Sequence, residues 1–106
     1  MNIFVSYTLK DSFLNIEMLR HIEDILSNFG VPYIDILHNK SLNPQQHVIK
    51  MLQKSSVFCA LITPQYFESR WVQIEIGVAN YKSIPVIAID MVNNYKVIIT
   101  WQPKTV

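Results

Sequence analysis

The sequence contains little glycine, one cysteine and few charged residues, and each shortage excludes a class of protein. Two glycines in 106 residues are too few for either common glycine-rich phosphate-binding loop. Cys59 stands alone inside an apolar run, so we expect a buried, inert thiol and a reducing, cytoplasmic location. Charged residues make up 16% of the chain and the net charge is +1, which favours neither nucleic acid nor an anionic membrane as partner.

Long apolar runs are missing as well. None approaches the roughly 20 residues that a membrane-spanning helix needs, and the N-terminus lacks the basic-then-apolar pattern of a signal peptide. The histidines are scattered, without the spacing of a metal site. Half of the residues are nevertheless hydrophobic, and the length fits one domain that spans residues 1–106.

Strand-like and helix-like segments alternate along the chain. Four β-branched or apolar runs predict strands at residues 2–7, 32–37, 57–62 and 84–90. Helical spacing and caps predict three helices between them, from Asp11 or Ser12 to Phe29, after the cap Asn43, and from about Arg70 to Lys82. This alternation predicts an α/β fold, a doubly wound parallel sheet in the order 2-1-3-4 with helices on both faces.

A fifth predicted strand, 96–101, follows the fourth after only Met91–Tyr95. That connection is too short for a helical crossover, and Asn93–Asn94 suit a tight hairpin turn. We therefore expect the last strand to be antiparallel or irregular at an edge of the sheet. No helix is predicted after it, so the C-terminal helix is expected to be missing and the thinly covered face becomes a candidate surface for self-association.

One carboxylate, Glu75, lies in the middle of a helical face that is otherwise apolar. On a helical wheel, Trp71 precedes it by one turn and Ala79 follows it by one turn. An isolated carboxylate loses much of its hydration in such a place, so it needs partners, a cleft or a proton. Beside an indole in a partly dry pocket its pKa is raised, as an acid or base acting near neutrality requires.

Two interpretations of Glu75 remain open from the residue pattern. In one, Lys82 on the same face neutralises it, or the helix tilts it into solvent. In the other it serves a ligand site, because ligands of open parallel sheets bind beyond the carboxyl ends of the strands, where the winding direction reverses. Candidate partners at the strand ends and along the helix are Ser6, Tyr7, Asp35, Ser69 and Trp71.

Four segments, "IFVSYTLKD", "GVPYIDI", "SSVFCALITPQYFESRWVQIEIGVA" and "IPVIAI", occur in the order and context of one known family. Over about residues 2–91 the chain resembles Toll/interleukin-1 receptor (TIR) domains. The most specific part is Ser-x-Trp-x-x-x-Glu, from Ser69 to Glu75. The resemblance implies that the parallel sheet is flavodoxin-like.

The resemblance also implies an activity. Many TIR domains cleave the nicotinamide–ribose bond of NAD⁺, and some bacterial members cyclise the product into a signal that triggers antiviral defence. Their catalytic glutamate aligns with Glu75, and Ser6, Tyr7, Asp11 and Trp71 look like parts of the same pocket. The chain is thus expected to be an NAD⁺ nucleosidase of bacterial anti-phage signalling that takes NAD⁺ as substrate, needs no cofactor and acts as an assembly.

Two alternatives belong to other classes. The loop after the second strand, Ser41–Gln45, lacks the glycine usual in the family, which fits an interaction module without turnover. Residues 75–89 are also similar to nucleoside 2-deoxyribosyltransferases, in which the equivalent glutamate attacks the sugar. Both enzyme classes break an N-glycosidic bond, whose oxocarbenium-like transition state needs a nearby carboxylate.

Overall fold

A central sheet organises the fold in the computed structural model, which describes residues 1–93 and the backbone of residues 96–101. The strands are β1 (Asn2–Ser6), β2 (Val31–Ile34), β3 (Val57–Ile62), β4 (Val86–Asp90) and β5 (Lys96–Trp101). The first four are parallel and lie in the order β2-β1-β3-β4. This confirms the predicted order 2-1-3-4 and places the reversal of winding between β1 and β3. At the edge, β5 pairs antiparallel with β4.

Helices cover both faces of the sheet, as predicted. They are α1 (Ile16–Leu26), α2 (Asp35–His38), α3 (Pro44–Gln53) and α4 (Arg70–Tyr81), with a 3₁₀ turn at Tyr66–Glu68. On one face α1 packs through Leu19 and Ile22. On the other face α3 packs through Val48 and Leu52, and α4 packs beside it.

The alternation of side chains along β1 decides which residue reaches which face. Ile3 and Val5 join the core under α1, whereas Phe4 joins the core under α3 and α4. Because successive side chains of a strand point to opposite faces, Ser6 shares the face of Phe4. The hydroxyl at the end of β1 therefore points toward α4.

The predicted start and end of the first helix are wrong. Asn15, not Asp11 or Ser12, caps α1, because its Oδ1 accepts a hydrogen bond from the Met18 amide at 2.8 Å. The chain before it turns through Ser12, whose φ is 57°. The helix ends at Leu26, and 68% of the Phe29 side chain is exposed, so Phe29 is not part of the helical face.

The second strand is shorter than predicted. It ends at Ile34, and the following residues form the single helical turn α2 in place of more strand. The turn is held by side chains: His38 Nδ1 accepts from the Ile34 amide at 2.8 Å, and Asp35 Oδ1 accepts from Asn39 Nδ2 at 2.7 Å. At the start of β2, a side chain at Gly30 would collide with the carbonyl oxygen of Met1.

Two predictions concern residues outside the described ones. The hairpin turn at Asn93–Asn94 includes residue 94, which lies outside the described residues, and the missing C-terminal helix concerns residues 102–106. Within the described part, no helix is both long and apolar enough to cross a membrane.

Candidate active site

Helix α4 brings Glu75 against the sheet. Its cap is Ser69, as predicted, whose Oγ accepts a hydrogen bond from the Val72 amide at 3.3 Å. Val72, Glu75 and Ala79 form the buried face of the helix, and Glu75 is only 5% exposed. Lys82 is exposed at the far end of the helix, and Glu75 forms no ion pair among the described residues. The interpretation in which Lys82 neutralises Glu75, or the helix tilts it into solvent, is therefore wrong.

Two buried hydroxyl groups connect Glu75 to the strand ends. Ser6 Oγ, at the end of β1, donates to Glu75 Oε1 at 2.9 Å, and Tyr66 Oη donates to Ser6 Oγ at 2.8 Å. Ser6 is 1% exposed and Tyr66 is fully buried. Tyr66 belongs to the 3₁₀ turn that follows β3, so the hydrogen-bonded chain joins the carboxyl ends of β1 and β3. This is the place where an open parallel sheet binds ligands.

Burial raises the pKa of Glu75 from 4.5 to about 7. The hydrogen bond from Ser6 opposes this change, because it stabilises the ionised form. The negative charge of Asp35 raises the pKa further, and the Trp71 side chain acts to lower it. With a pKa of about 7, Glu75 populates both protonation states near neutral pH, as catalytic carboxyl groups do.

Further polar groups lie on the β2 side of this carboxylate. Asp35 Oδ1 accepts a hydrogen bond from the Tyr33 hydroxyl at 3.0 Å, and Tyr7 Oη accepts from the Ile36 amide at 2.9 Å. Burial raises the pKa of Tyr7 to about 12, so the phenol keeps its proton at neutral pH. The Tyr7 hydroxyl and the Asp35 carboxylate therefore offer a donor and an acceptor for a polar ligand.

A surface cleft of about 180 Å³ opens between α2, α3 and α4. It is lined by Asp35, Pro44, Gln45, Val48 and Trp71. Trp71 is half-buried, so part of its indole faces the cleft. Glu75 does not itself line the cleft, but two residues that do, Asp35 and Trp71, act on its pKa.

Asp11 has a role other than the predicted helix cap. Its Oδ2 accepts a hydrogen bond from the Gln65 amide at 2.8 Å and its Oδ1 accepts from the Phe13 amide at 3.2 Å. Burial acts to raise the pKa of Asp11, but hydrogen bonds from the Gln65 amide, the Thr63 side chain and the Phe13 amide outweigh burial and hold the pKa below its usual value. Asp11 thus ties the loop after β1 to the end of β3 and the loop that follows it, through two backbone amides and the Thr63 side chain.

Tyr66 is the residue that the sequence interpretation missed. Within "TPQYFES" it stands between a strand end and a helix cap, where the pattern indicates only a loop. The structure buries the whole side chain against the core under α3 and α4. A large aromatic residue in so short a connection was the available signal, because a buried tyrosine hydroxyl needs a hydrogen-bond partner.

Comparison with known families decides the classification. The sequence matches the TIR domain over residues 3–99. The chain belongs to the TIR domain family. The predicted resemblance is therefore confirmed, and it covers nearly the whole sequence.

Solved structures similar to this TIR domain include two 2-deoxyribosyltransferases. The enzyme from Bacillus psychrosaccharolyticus is 16% identical with a TM-score of 0.58, over 83% of this chain and 71% of the other. The enzyme from Leishmania mexicana is 15% identical with a TM-score of 0.59, over 96% and 81%. At this identity the likeness concerns the fold alone, and it supports the parallel strands and the helices. No curated protein matches the sequence.

Proposed function

We propose that this TIR domain is an enzyme that cleaves the nicotinamide–ribose bond of NAD⁺, with Glu75 as the catalytic carboxylate. The observation that carries the proposal is the burial of Glu75 at the strand ends, which gives it a pKa of about 7. A carboxyl group is costly in such a place unless it has a use there. Membership of the TIR family supports the same activity.

Breaking the N-glycosidic bond sends its electron pair to the nicotinamide nitrogen. The nicotinamide ring is cationic before cleavage and leaves neutral, so no strong general acid is required. Positive charge develops on the ribose, and the ionised form of Glu75 offsets it. When water completes the hydrolysis, it delivers its oxygen to the sugar carbon and loses a proton, which Glu75 can accept because its pKa is about 7. Attack by a group of the substrate itself in place of water gives a cyclic product.

The residues around Glu75 suit different parts of such a substrate. Trp71 offers an aromatic face to a planar ring, while Asp35 and Tyr7 offer an acceptor and a donor to ribose hydroxyls. The cleft of about 180 Å³ is smaller than the roughly 300–1,000 Å³ of typical ligand pockets. We infer that it takes the nicotinamide–ribose end only, with the rest of the dinucleotide outside.

A second enzymatic candidate is transfer of a deoxyribosyl group between bases. The observation that favours it is the shared fold with two 2-deoxyribosyltransferases. The chemistry at the anomeric carbon is closely related, since Glu75 then attacks the sugar and is later displaced by a second base.

The non-enzymatic candidate is a TIR domain that only binds partners, including copies of itself. The feature that favours it is the loop between α2 and α3, where the Leu42 side chain is 99% exposed. A large apolar side chain in water is costly and is often covered by a partner. In this candidate the buried Glu75 is structural.

Incubation of the purified protein, at high protein concentration, with NAD⁺ tests the proposal. We expect nicotinamide release that Glu75→Gln and Glu75→Ala each reduce by about 10²–10³-fold or more. Glu68→Gln is the matched control, because Glu68 is an exposed carboxylate in the turn before the same helix, and it should keep full activity.

Other results assign the other functions. Base exchange between deoxynucleosides, lost in Glu75→Gln, supports the transferase. No turnover of either substrate, together with concentration-dependent association that Leu42→Ser abolishes, supports the binding module. A cytoplasmic, anti-phage role is part of the same proposal and predicts that a bacterial host expressing the wild type, but not Glu75→Gln, loses NAD⁺ on phage infection.

A further inference from the structure

Tyr66 makes an unusual contact for a residue of a surface connection. Its hydroxyl is buried and, among the described residues, its hydrogen bond is to Ser6 Oγ at 2.8 Å. Ser6 in turn donates to Glu75 Oε1 at 2.9 Å. Burial raises the pKa of Tyr66, so the phenol keeps its proton at every physiological pH.

The protonation state of Glu75 fixes the direction of this chain. An ionised carboxylate only accepts hydrogen bonds, so Ser6 must donate its single proton to Glu75 and must accept from Tyr66. Every group in the chain is then satisfied, and each bond polarises the next. If Glu75 is protonated and donates to Ser6, three O–H groups share the two contacts of the chain, so either the Ser6 O–H or the Tyr66 O–H is left without an acceptor in it. A buried donor without a partner is costly.

We propose that Tyr66 is a positioning residue that holds Ser6 as a donor to one oxygen of Glu75 and leaves the other oxygen for the sugar of the substrate. The part about the substrate rests on the proposed function, whereas the hydrogen-bond direction does not. Tyr66 acts through Ser6 and does not touch the substrate. The assignment also changes the expected role of Ser6, which at 1% exposure supports the carboxylate and does not bind substrate directly.

Other charged and titratable groups face Glu75, and the test must separate Tyr66 from them. Asp35 of α2, Tyr7 after β1 and Tyr33 of β2 interact electrostatically with Glu75, and Trp71 contacts it from α4. None of these groups reaches Glu75 through Ser6. A substitution at Tyr66 that acts only when Ser6 is present therefore reports on the hydrogen-bonded chain alone.

The direct experiment follows the ¹³C chemical shift of the Glu75 side-chain carboxyl between pH 4 and 9, with Glu75→Gln to assign the signal. Tyr66→Phe removes one oxygen and keeps the packed ring. We expect the titration midpoint to rise by about 0.5 to 1 pH unit. The lost hydrogen bond favoured the ionised form of Glu75, and a typical hydrogen bond is worth about that much. Tyr81→Phe is the matched control, since Tyr81 is 86% exposed on the same helix as Glu75, and it should leave the midpoint unchanged.

A double-mutant cycle shows whether Tyr66 acts through Ser6. Ser6→Ala alone should raise the midpoint by about 1 to 2 pH units, as the loss of a hydrogen bond to a charged group does. Adding Tyr66→Phe to Ser6→Ala should then change nothing further. An unchanged midpoint in Tyr66→Phe, or a shift of equal size with and without Ser6, overturns the proposal.

A second route does not depend on the folding of Tyr66→Phe. Labelling all five tyrosines with 3,5-difluorotyrosine makes each phenol a stronger donor. The Glu75 midpoint should fall in the labelled wild type relative to the unlabelled protein, and it should not fall in labelled Ser6→Ala. A fall of equal size in both proteins overturns the proposal.

Activity separates this proposal from the proposed function. If Glu75 titrates as expected but NAD⁺ is not cleaved, the positioning role stands and the NAD⁺ activity fails. If NAD⁺ is cleaved and the midpoint of the pH–rate profile is the same in Tyr66→Phe and the wild type, the activity stands and the positioning role fails.

Discussion

The two faces of the sheet are built from the same strands but carry different chemistry. Under α1 lies an apolar cluster that consists of Ile3, Val5, Leu14, Leu19, Ile22, Ile34, Cys59, Leu61 and Met91. Under α3 and α4 the apolar cluster around Phe4 and Phe58 includes Tyr66, whose hydroxyl leads through Ser6 to Glu75. The first face stabilises the fold, while the second also holds a carboxyl group at its edge.

Cys59 and Glu75 show how one physical cause has opposite consequences on the two faces. Burial raises the pKa of the Cys59 thiol to about 12, which keeps it protonated and inert at neutral pH. Burial also raises the pKa of Glu75, but from a lower starting value and against the hydrogen bond from Ser6, so it reaches about 7. Desolvation thus keeps the thiol protonated and unreactive, and it lets the carboxyl group titrate near neutral pH.

The largest stability effect is expected on the α1 face. Leu19→Ala removes a fully buried side chain and should lower the free energy of unfolding by about 2–5 kcal/mol, because it leaves a cavity as well as losing burial. Urea unfolding measures the loss. The pH dependence of nicotinamide release should not change, and a changed pH midpoint would show that the two faces are coupled.

The next effect is a gain in the free energy of unfolding, and it is expected for a substitution on the α4 face. The pKa of Glu75 is higher in the folded protein than in the unfolded chain, so its contribution favours folding below about pH 4.5 and is lost as the pH rises through 7. Glu75→Gln removes this penalty and should raise the free energy of unfolding at pH 8 by about 3 kcal/mol.

Urea unfolding at pH 8 and at pH 4 checks the sign. The gain from Glu75→Gln should disappear at the lower pH, where the wild-type carboxyl group is neutral too. Equal unfolding free energies at pH 8 would mean that burial does not strain the ionised carboxylate. Glu68→Gln, on an exposed residue, is the control at both pH values.

A smaller effect is expected for Trp71→Phe. Phenylalanine keeps an aromatic face toward the cleft but offers less stacking area and no N–H group. The KM for NAD⁺ should rise about 2- to 10-fold, in line with the size of aromatic contacts. Steady-state kinetics measure the change, and an unaltered KM would assign Trp71 to packing alone.

The smallest effect is expected at the thiol. Cys59 is 3% exposed in β3, so a thiol reagent such as 5,5′-dithiobis(2-nitrobenzoate) should leave the native protein unlabelled at pH 8 and label it in urea. Fast labelling of the native protein would show that the α1 face opens readily. Cys59→Ala should leave the pH–rate profile as it is.

Much of the fold follows from the sequence because its signals are local. The apolar run of residues 57–62 and the cap at Ser69 both lie where they were predicted, since burial periodicity and capping depend on neighbouring residues. The predicted end of β2 was wrong, because hydrogen bonds of Asp35 and His38 turn the chain into α2. Those contacts depend on side-chain geometry, which the spacing of apolar residues along the sequence does not indicate.

The candidate site was predictable in part for the same reason. Glu75 stands out because a carboxylate interrupts an apolar helical face, and the structure buries it there. The partnership of Ser6 with Tyr66 joins residues 60 positions apart in the chain. It arises only when β1 and β3 pair side by side, so the local sequence pattern does not indicate it.

The pH–rate profile of nicotinamide release from NAD⁺ shows whether the ionised form of Glu75 cleaves the bond. The rate should rise with pH to a plateau, with a midpoint near 7 set by ionisation of Glu75, and Glu75→Gln should lower it by about 10²–10³-fold or more at every pH. A profile with no transition between pH 5 and 9, or one that Glu75→Gln retains, would contradict this role of Glu75.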